Sequence, residues 1–271
     1  MTTHQVNAVR YDAGSATHVS EQLAVEDVLQ ININGEPFSV TMRTPGDDEA
    51  LVRGLLYTED VVPAHGTEYR YDETVDPRTG RVLRADVSID PQALNADVAK
   101  GRSLMATASC GICGRKEMRD LGLGGEPLRP SAMLDVRWLP EWQAKMQAAQ
   151  ATFTRSGGSH AAAFFSLDGQ CLAVNEDIGR HNAVDKVVGA VIMQRALDVA
   201  ECLLVSGRVS YEIVLKAYKA GAPFIVAVSA PSSLSARASD ELGITLIGFC
   251  RETRATVYSH AECVGPEEVS P

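Results

Sequence analysis

Two closely spaced cysteines are the residues of this chain with the clearest chemistry. Cys110 and Cys113 lie three positions apart, and a glycine follows each of them. A Cys-x-x-Cys turn gathers two thiols on one side of the backbone, and the glycines leave both sulfurs open to approach. Arg115 and Lys116 come next, and nearby positive charge lowers the pKa of a thiol. The pattern therefore favours a nucleophilic sulfur carrier or a redox pair.

Other interpretations of this turn stay open from the residues alone. A structural zinc site needs about four ligands. The chain has no second Cys-x-x-Cys and no His-x-x-x-His, so only a dimer that pools two pairs could close such a site. A structural disulfide is disfavoured because no secretory signature precedes it. A thioredoxin-type motif would sit between a strand and a helix, whereas this turn lies in a glycine-rich segment.

The composition predicts a two-domain protein of the cytoplasm that does not bind nucleic acid. A chain of 271 residues, 45% of them hydrophobic, can bury one large core or two modest ones, and we expect two. Its 25 Lys and Arg against 35 Asp and Glu give a formal charge of -10, which leaves room only for a local basic pocket. Residues 1–10 hold no apolar run and later apolar stretches are strand-sized, so no membrane span is expected.

The first part of the chain has the signals of two β-hairpins. Asn34-Gly35 is a strong hairpin turn between alternating segments, and a second turn lies over 76–80. Acidic residues after Pro45 favour the start of a helix between the hairpins. The predicted elements are a flexible arm (1–20), strands (25–32 and 38–42), a helix (44–57) and two further strands (68–75 and 81–89).

The second part alternates buried apolar runs with helical patterns. This alternation predicts a mostly parallel sheet that is covered by helices on both faces. Trp142 and Met146 share one face of its first helix and are expected in the core, as are Cys171 and Cys202 in strand-like runs. The predicted elements are a helix (140–153), hairpin strands (161–167 and 170–174), a helix (182–196), and then strands (202–205, 224–228 and 244–249) separated by helices (211–220 and 233–241).

Small hydroxyl residues and basic groups gather at what should be one edge of that sheet. Ligands of open α/β sheets bind beyond the carboxyl ends of the strands, where helix N-termini point free N–H groups. Segments 156–160, 176–181, 206–210 and 229–233 fall there and predict a site for a phosphate-bearing ligand. The same residue types also cap helices, so Asp177 could simply cap the helix that follows. The chain has no Walker sequence, and no Gly-x-Gly-x-x-Gly motif follows a predicted strand. These absences exclude a standard nucleotide-binding fold.

Long ordered motifs run through most of the chain, at residues 44–47, 109–114, 157–162, 176–185, 206–208, 229–231 and 246–249 and at Lys216. In this order they resemble the formate dehydrogenase accessory sulfurtransferases of the FdhD/NarQ type. Two departures are modest and touch no chemistry. Thr58-Glu59-Asp60 stands where the family has Thr-Glu-Gly, and Ser159 stands where threonine is commoner.

The resemblance implies sulfur transfer by an enzyme. A cysteine desulfurase would load Cys110 with a persulfide, and Cys113 would act as assistant or relay. The sulfur would go to the molybdenum of the bis(molybdopterin guanine dinucleotide) cofactor before this cofactor enters formate dehydrogenase. Guanosine diphosphate is the expected mimic of the cofactor, and a homodimer without a metal site of its own is the expected assembly.

The resemblance and the predicted edge together name the cofactor-binding residues. The family's ligand segment corresponds to 249–254, and the C-terminal domain is expected to be a three-layer α/β/α domain like that of cytidine deaminases. A deaminase itself is disfavoured, because the chain lacks a His-x-Glu paired with Pro-Cys-x-x-Cys. The expected binding residues are Phe249, Cys250, Arg251, Glu252, Thr253, Arg254, His160, Asp177, Arg180, His181, Ser206, Arg208 and Ser229.

The expected domain order places the cysteine turn between two folded units. A different class of function is a non-catalytic molybdenum-cofactor chaperone or zinc-binding protein that uses the cysteines only as ligands. Metal content would separate this alternative from a sulfur carrier. The expected segments are a flexible arm (1–20), a β-rich α+β N-terminal domain (21–109), a mobile Cys-x-x-Cys loop and connector (110–135), an α/β cofactor-binding domain (136–262) and a tail (263–271).

Overall fold

A computed structural model describes residues 2–63, 69–95, 126–251 and 254–265. Over these ranges the chain has a mixed α/β architecture with sheets of two, four and six strands. The predicted α/β class is confirmed at this level. No helix in the described ranges is long and apolar enough to cross a membrane.

The N-terminal segment forms a regular hairpin, so the expectation of a flexible arm over 1–20 is wrong. Strands β1 (Thr3–Asp12) and β2 (Ser15–Ala24) pair antiparallel along their whole length. The turn between them places Ala13 and Gly14 at φ 46° and 88°, the left-handed pair that a two-residue hairpin needs. Both faces of this ribbon are largely polar, so no apolar alternation indicates strands, and an Ala-Gly turn is a weaker signal than Asn-Gly.

A four-stranded sheet with one helix follows. Its elements are β3 (Asp27–Ile33), β4 (Glu36–Arg43), α1 (Asp48–Thr58), β5 (Tyr69–Val75) and β6 (Val82–Ile89). The strand order is β4-β3-β6-β5, and β3 pairs parallel with β6 at the centre. Leu29, Ile31, Leu51, Leu56 and Val87 form its core between sheet and helix. The two predicted hairpins and the helix between them are confirmed.

The helix predicted over 140–153 is two helices, α2 (Leu139–Ala149) and α3 (Ala151–Ser156). The break falls at Gln150, whose ψ of 64° leaves the helical region. Trp142 of α2 is buried and stacks on Phe165, with ring centroids 4.7 Å apart. The prediction that Trp142 and Met146 belong to the core is confirmed.

The last sheet has six strands, with helices between them. The elements are β7 (His160–Phe165), β8 (Cys171–Asp177), α4 (Arg180–Met193), β9 (Cys202–Val205), α5 (Tyr211–Lys219), β10 (Phe224–Ala227), α6 (Ser233–Glu241), β11 (Thr245–Arg251) and β12 (Arg254–Val257).

The strand order of this sheet is β12-β11-β10-β9-β7-β8. Strand β10 pairs parallel with β9 and with β11, while the other described pairings are antiparallel. The prediction of a mostly parallel sheet is therefore wrong, because tight returns after β7 and β11 add antiparallel strands at both sides. Buried clusters on both faces confirm the predicted helix cover.

Helices α1 and α4 join the two larger sheets through a crossing that only glycine permits. A Cβ atom on Gly54 would lie 1.8 Å from the backbone oxygen of Asp185, and one on Gly189 would lie 1.8 Å from that of Ala50. Because these contacts involve backbone on both sides, neither helix can yield to a side chain. The close approach fixes the start of α4 relative to the N-terminal sheet.

Candidate functional site

The predicted sulfur carrier lies outside the described residues, as do two residues of the expected ligand segment. These are Cys110, Cys113, Glu252 and Thr253. The described part of the site is the edge of the six-stranded sheet where β9 and β10 end.

The antiparallel pairing of β7 with β9 brings the start of one strand to the end of the other. Ala162 lies opposite Val205, so His160 lies beside the loop that follows β9. Ser206 closes this corner, since its Oγ accepts a hydrogen bond of 2.9 Å from the backbone N–H of Ala161. A Cβ atom on Gly207 would lie 3.2 Å from His160 Nδ1 and 3.6 Å from Arg180 Cβ. Glycine thus leaves room between an imidazole and a guanidinium side chain.

The charges of two arginines act on the half-buried ring of His160. Burial lowers the pKa of His160, and the charges of Arg180 and Arg208 lower it further, against a smaller opposing effect of Asp177. The imidazole is therefore neutral near pH 7. Arg208 is exposed, and the buried Nε of Arg180 has no hydrogen-bond partner among the described residues. This corner offers guanidinium donors to an anion.

His181 lies one residue further along α4 and is almost fully buried. Its Nε2 lies 3.2 Å from Ser210 Oγ and 3.7 Å from a carboxylate oxygen of Glu212. Burial, with the charges of Arg180 and Lys216, lowers the pKa of His181 to about 4 despite Glu212. His181 is thus a neutral residue that joins the N-termini of α4 and α5, and its described contacts are with protein groups.

Asp177 lies beneath the edge rather than on it. The side chain is fully buried and pairs with Lys186 Nζ at 2.9 Å. Its oxygens also accept hydrogen bonds from the backbone N–H groups of Thr44 and Gly179, at 3.0 and 2.9 Å. Asp177 therefore anchors the turn before α4, a role close to the helix cap that was the alternative interpretation of this residue. Its carboxylate was expected to bind the cofactor, but donors of the protein itself occupy it.

A second buried ion pair joins α4 to α5, one turn further along each helix than His181 and Glu212. It was not predicted from the sequence. Lys216 Nζ donates to Asp185 Oδ1 at 2.8 Å, Thr58 Oγ1 at 2.9 Å and Glu59 Oε1 at 3.0 Å. Burial alone would lower the pKa of Lys216, but the charges of Asp185 and Glu59 outweigh it and hold that pKa above its ordinary value. The signal was the spacing of four between His181 and Asp185, matched by the same spacing in α5.

The loop after β10 connects this edge to the expected ligand segment. Ser229 accepts a hydrogen bond of 3.1 Å at its backbone oxygen from the N–H of Phe249. Phe249 has a φ of 50° and an exposed ring, and the pairing of β11 with β12 shifts register after Gly248. A left-handed aromatic residue at a bulge is uncommon and costs about 1–3 kcal/mol. Arg251 and Arg254 are exposed beside it.

Cys250 differs from its neighbours in the ligand segment because it points into the core. Its side chain is buried, and burial raises its pKa to about 11, with a smaller opposing effect of the Gln143 hydrogen bond. Cys202 is fully buried with a raised pKa, which confirms its predicted core position, while Cys171 is only half-buried. Cys202 and Cys250 are therefore packing thiols rather than nucleophiles.

Comparison with known proteins identifies the family of the chain. Residues 24–264 match the model of the FdhD/NarQ family. The sulfur carrier protein FdhD of Mycobacterium tuberculosis is 42% identical over 256 residues, which cover 89% of this chain and 91% of that protein. That of Streptomyces coelicolor is 38% identical over 269 residues, which cover 97% of this chain and 95% of its relative. The crystal structure of a candidate formate dehydrogenase accessory protein from Desulfotalea psychrophila has the same fold, with a TM-score of 0.77 at 22% identity over 97% of this chain and all of that one. The chain therefore belongs to the FdhD/NarQ family.

Proposed function

We propose that this chain is a sulfurtransferase that carries sulfur on Cys110 and delivers it to a molybdenum cofactor held at the edge of the six-stranded sheet. Relatives at 42% and 38% identity are named sulfur carrier protein FdhD, which supports the carrier role. The proposed binding of the cofactor rests on the corner between the start of β7 and the loop after β9. The positive charges of Arg180 and Arg208 act on the neutral His160, and the nearby carboxylate of Asp177 is already paired with Lys186.

The substrate is the bis(molybdopterin guanine dinucleotide) cofactor, whose diphosphates suit this corner. Guanidinium groups bind phosphoryl oxygens with paired hydrogen bonds, and the buried Arg180 Nε has a donor to offer. The exposed ring of Phe249, tied to the same corner through Ser229, suits a flat nucleobase. Glu252 and Thr253 complete the expected segment with Arg251 and Arg254.

On this chain, sulfur loading uses the two thiols of the Cys-x-x-Cys turn. The Cys110 thiolate attacks the outer sulfur of a persulfide on a cysteine desulfurase, whose own cysteine leaves as a thiolate. Cys113 assists or relays this sulfur. In the delivery step the outer sulfur of the Cys110 persulfide would become a sulfide ligand of the molybdenum, the Cys110 thiolate would leave, and the two electrons would come from the reduced molybdenum(IV) of the cofactor, before the cofactor enters formate dehydrogenase. A low-pKa thiol next to Arg115 and Lys116 favours each attack.

We place the protein in the cytoplasm as a homodimer, in which one chain could present Cys110 to the edge of the other. The six-stranded sheet with helices on both faces supports a likeness to the cytidine deaminase fold. The proposed sulfur transfer does not require the zinc site of a deaminase.

Sulfur transfer from labelled cysteine tests the carrier role. The Cys110→Ala variant should lose the label that wild type acquires from a desulfurase, whereas Cys171→Ala should keep it because Cys171 lies half-buried in a strand. Label retained by Cys110→Ala at the wild-type level would overturn the carrier role. One zinc per chain or per dimer bound through Cys110 and Cys113 would instead favour the non-catalytic alternative.

Thermal stabilisation by nucleotides tests the binding site. Guanosine diphosphate should raise the melting temperature of the protein more than adenosine diphosphate does, because ligand binding to the native state alone stabilises it. Equal shifts would mean that the edge binds phosphate without selecting the base.

A further inference from the structure

His160 occupies an unusual position among the polar residues of the sheet edge. It begins β7, its ring is half-buried, and no described residue is a hydrogen-bond partner of that ring. The space between Nδ1 and the side chain of Arg180 is kept open by Gly207, where a Cβ atom would come within 3.2 Å of Nδ1. An ordinary core histidine would satisfy its ring nitrogens with protein groups. The ring therefore has hydrogen-bonding capacity to spare toward a ligand.

The charges around His160 are positive in sum. Arg180, at the start of α4, and Arg208, in the loop after β9, both contribute positive charge at its ring. Asp177 lies opposite it on β8, but Lys186 pairs with that carboxylate at 2.9 Å and offsets its charge. Burial and the two guanidinium charges thus keep the imidazole unprotonated until an anion arrives.

We propose that His160 takes up a proton when phosphoryl oxygens bind between it and the guanidinium groups of Arg180 and Arg208. This inference rests on the proposed binding of the cofactor's diphosphates at the same edge. An imidazolium would then donate to the phosphoryl oxygens, while the negative charge of the ligand offsets the two arginines. Phosphate binding at this site is therefore coupled to pH.

The direction of the coupling follows from the sign of the charges. In the free protein the pKa of His160 is lowered by burial and by the two arginines, and a bound anion raises it. The affinity should rise as pH falls from above the bound-state pKa toward the free-state pKa. The increase is at most about tenfold per pH unit for one proton.

Calorimetry with diguanosine 5′,5′-diphosphate tests the coupling of binding to proton uptake, without a contribution from protons that the ligand itself binds or releases. Its bridging phosphates do not titrate near neutral pH, unlike the terminal phosphate of guanosine diphosphate. Titrations at pH 7 in buffers of different ionisation enthalpy count the protons that are taken up. Wild type should take up a measurable part of one proton and bind more tightly at pH 6 than at pH 8. His160→Gln should take up none, whereas His18→Gln, in the exposed part of β2, should match wild type.

A charge-removing variant keeps the test informative if His160→Gln fails to fold. The side chain of Arg208 is exposed, so the Arg208→Gln variant should fold. This variant should bind the ligand more weakly. It should also take up a smaller part of a proton, because the imidazole of the free protein is then more basic. Binding with no proton uptake by wild type, or with the same uptake in His160→Gln, would overturn the proposed coupling but leave cofactor binding intact. No binding by wild type at any pH would overturn both.

Discussion

Lys216 Nζ lies 2.8 Å from Asp185 Oδ1, and the two side chains are only 5% and 2% exposed. The pair bridges α5 and α4, and Thr58 and Glu59 bring the end of α1 into the same contact. A buried pair of this kind contributes little over an apolar packing, but removal of one partner leaves a desolvated charge. The arrangement ties the end of α1 to α4, which begins with Arg180 of the candidate site, and to α5, which follows the loop that holds Arg208.

Lys216→Met should destabilise the protein by about 3–5 kcal/mol, because Asp185 would remain buried without its cation. The matched control is Lys219→Met, since Lys219 pairs with Asp60 at 37% and 59% exposure. A surface pair contributes about 0–1 kcal/mol. Urea denaturation of both variants gives the comparison. Equal losses would show that the buried pair does not hold this interface.

His181 should make folding stability sensitive to acid. Its pKa is about 4 in the folded protein, below that of a histidine in an unfolded chain, so the unfolded state binds a proton first. The His181 contribution is therefore complete above about pH 6.5 and is lost as pH falls toward 4. The loss is on the order of 3 kcal/mol.

Urea titrations between pH 7 and pH 4.5 check the prediction for His181. The His181→Gln variant should have a flatter stability profile than wild type over this range, while His18→Gln should retain the wild-type slope. Parallel profiles for wild type and His181→Gln would show that folding does not lower the pKa of His181.

The glycine crossing of α1 and α4 should tolerate no side chain. Gly54→Ala should destabilise the protein by about 3 kcal/mol or more, because its Cβ would overlap the backbone oxygen of Asp185. The matched control is Gly158→Ala, whose Cβ would make an ordinary contact of 3.5 Å with Ala24. Its effect should stay within about 0.5 kcal/mol. Thermal melts of the two variants test this, and similar melting temperatures would contradict the close approach.

Local sequence signals predicted the elements that depend on local chemistry. The Asn34-Gly35 turn and the apolar run 202–205, which forms β9, each appear where expected. The hairpin of β1 and β2 escaped prediction because polar residues on both faces give no period. The break at Gln150 escaped it because no proline or glycine marks the position.

The candidate site was predictable where topology alone brings residues together. His160, Arg180 and Gly207 meet because strand ends meet at one edge of a sheet. The burial of Asp177 and Cys250 was not predictable, because it depends on which side of a strand faces the core after a turn or a bulge. The Lys216 network depends on the side chain of Glu59 reaching α5 from far along the chain, and a single sequence carries no record of such contacts.

Gly207→Ala should weaken nucleotide binding with little effect on folding. The added methyl group would occupy the space between His160 Nδ1, 3.2 Å away, and Arg180 Cβ, 3.6 Å away. About a tenfold loss of affinity, or roughly 1.4 kcal/mol, is expected if a phosphoryl group must enter there. Calorimetry with guanosine diphosphate measures it, and unchanged affinity would place the phosphates elsewhere on the edge.

The cysteines should divide sharply by reactivity in the native protein. Cys202 and Cys250 are buried, and burial raises the pKa of each thiol, to about 11 for Cys250. Alkylation depends on the thiolate and on access, so neither should react with iodoacetamide near pH 7 until the chain is unfolded in urea. Cys110, as the proposed carrier, should be modified first, and after sulfur loading by a desulfurase iodoacetamide should alkylate the outer sulfur, so that the labelled Cys110 peptide gains the mass of one additional sulfur atom. Peptide mass spectrometry after short labelling times reads each site. Rapid native labelling of Cys250 would mean that β11 opens at the ligand segment, and a slow Cys110 would count against a thiolate nucleophile in the turn.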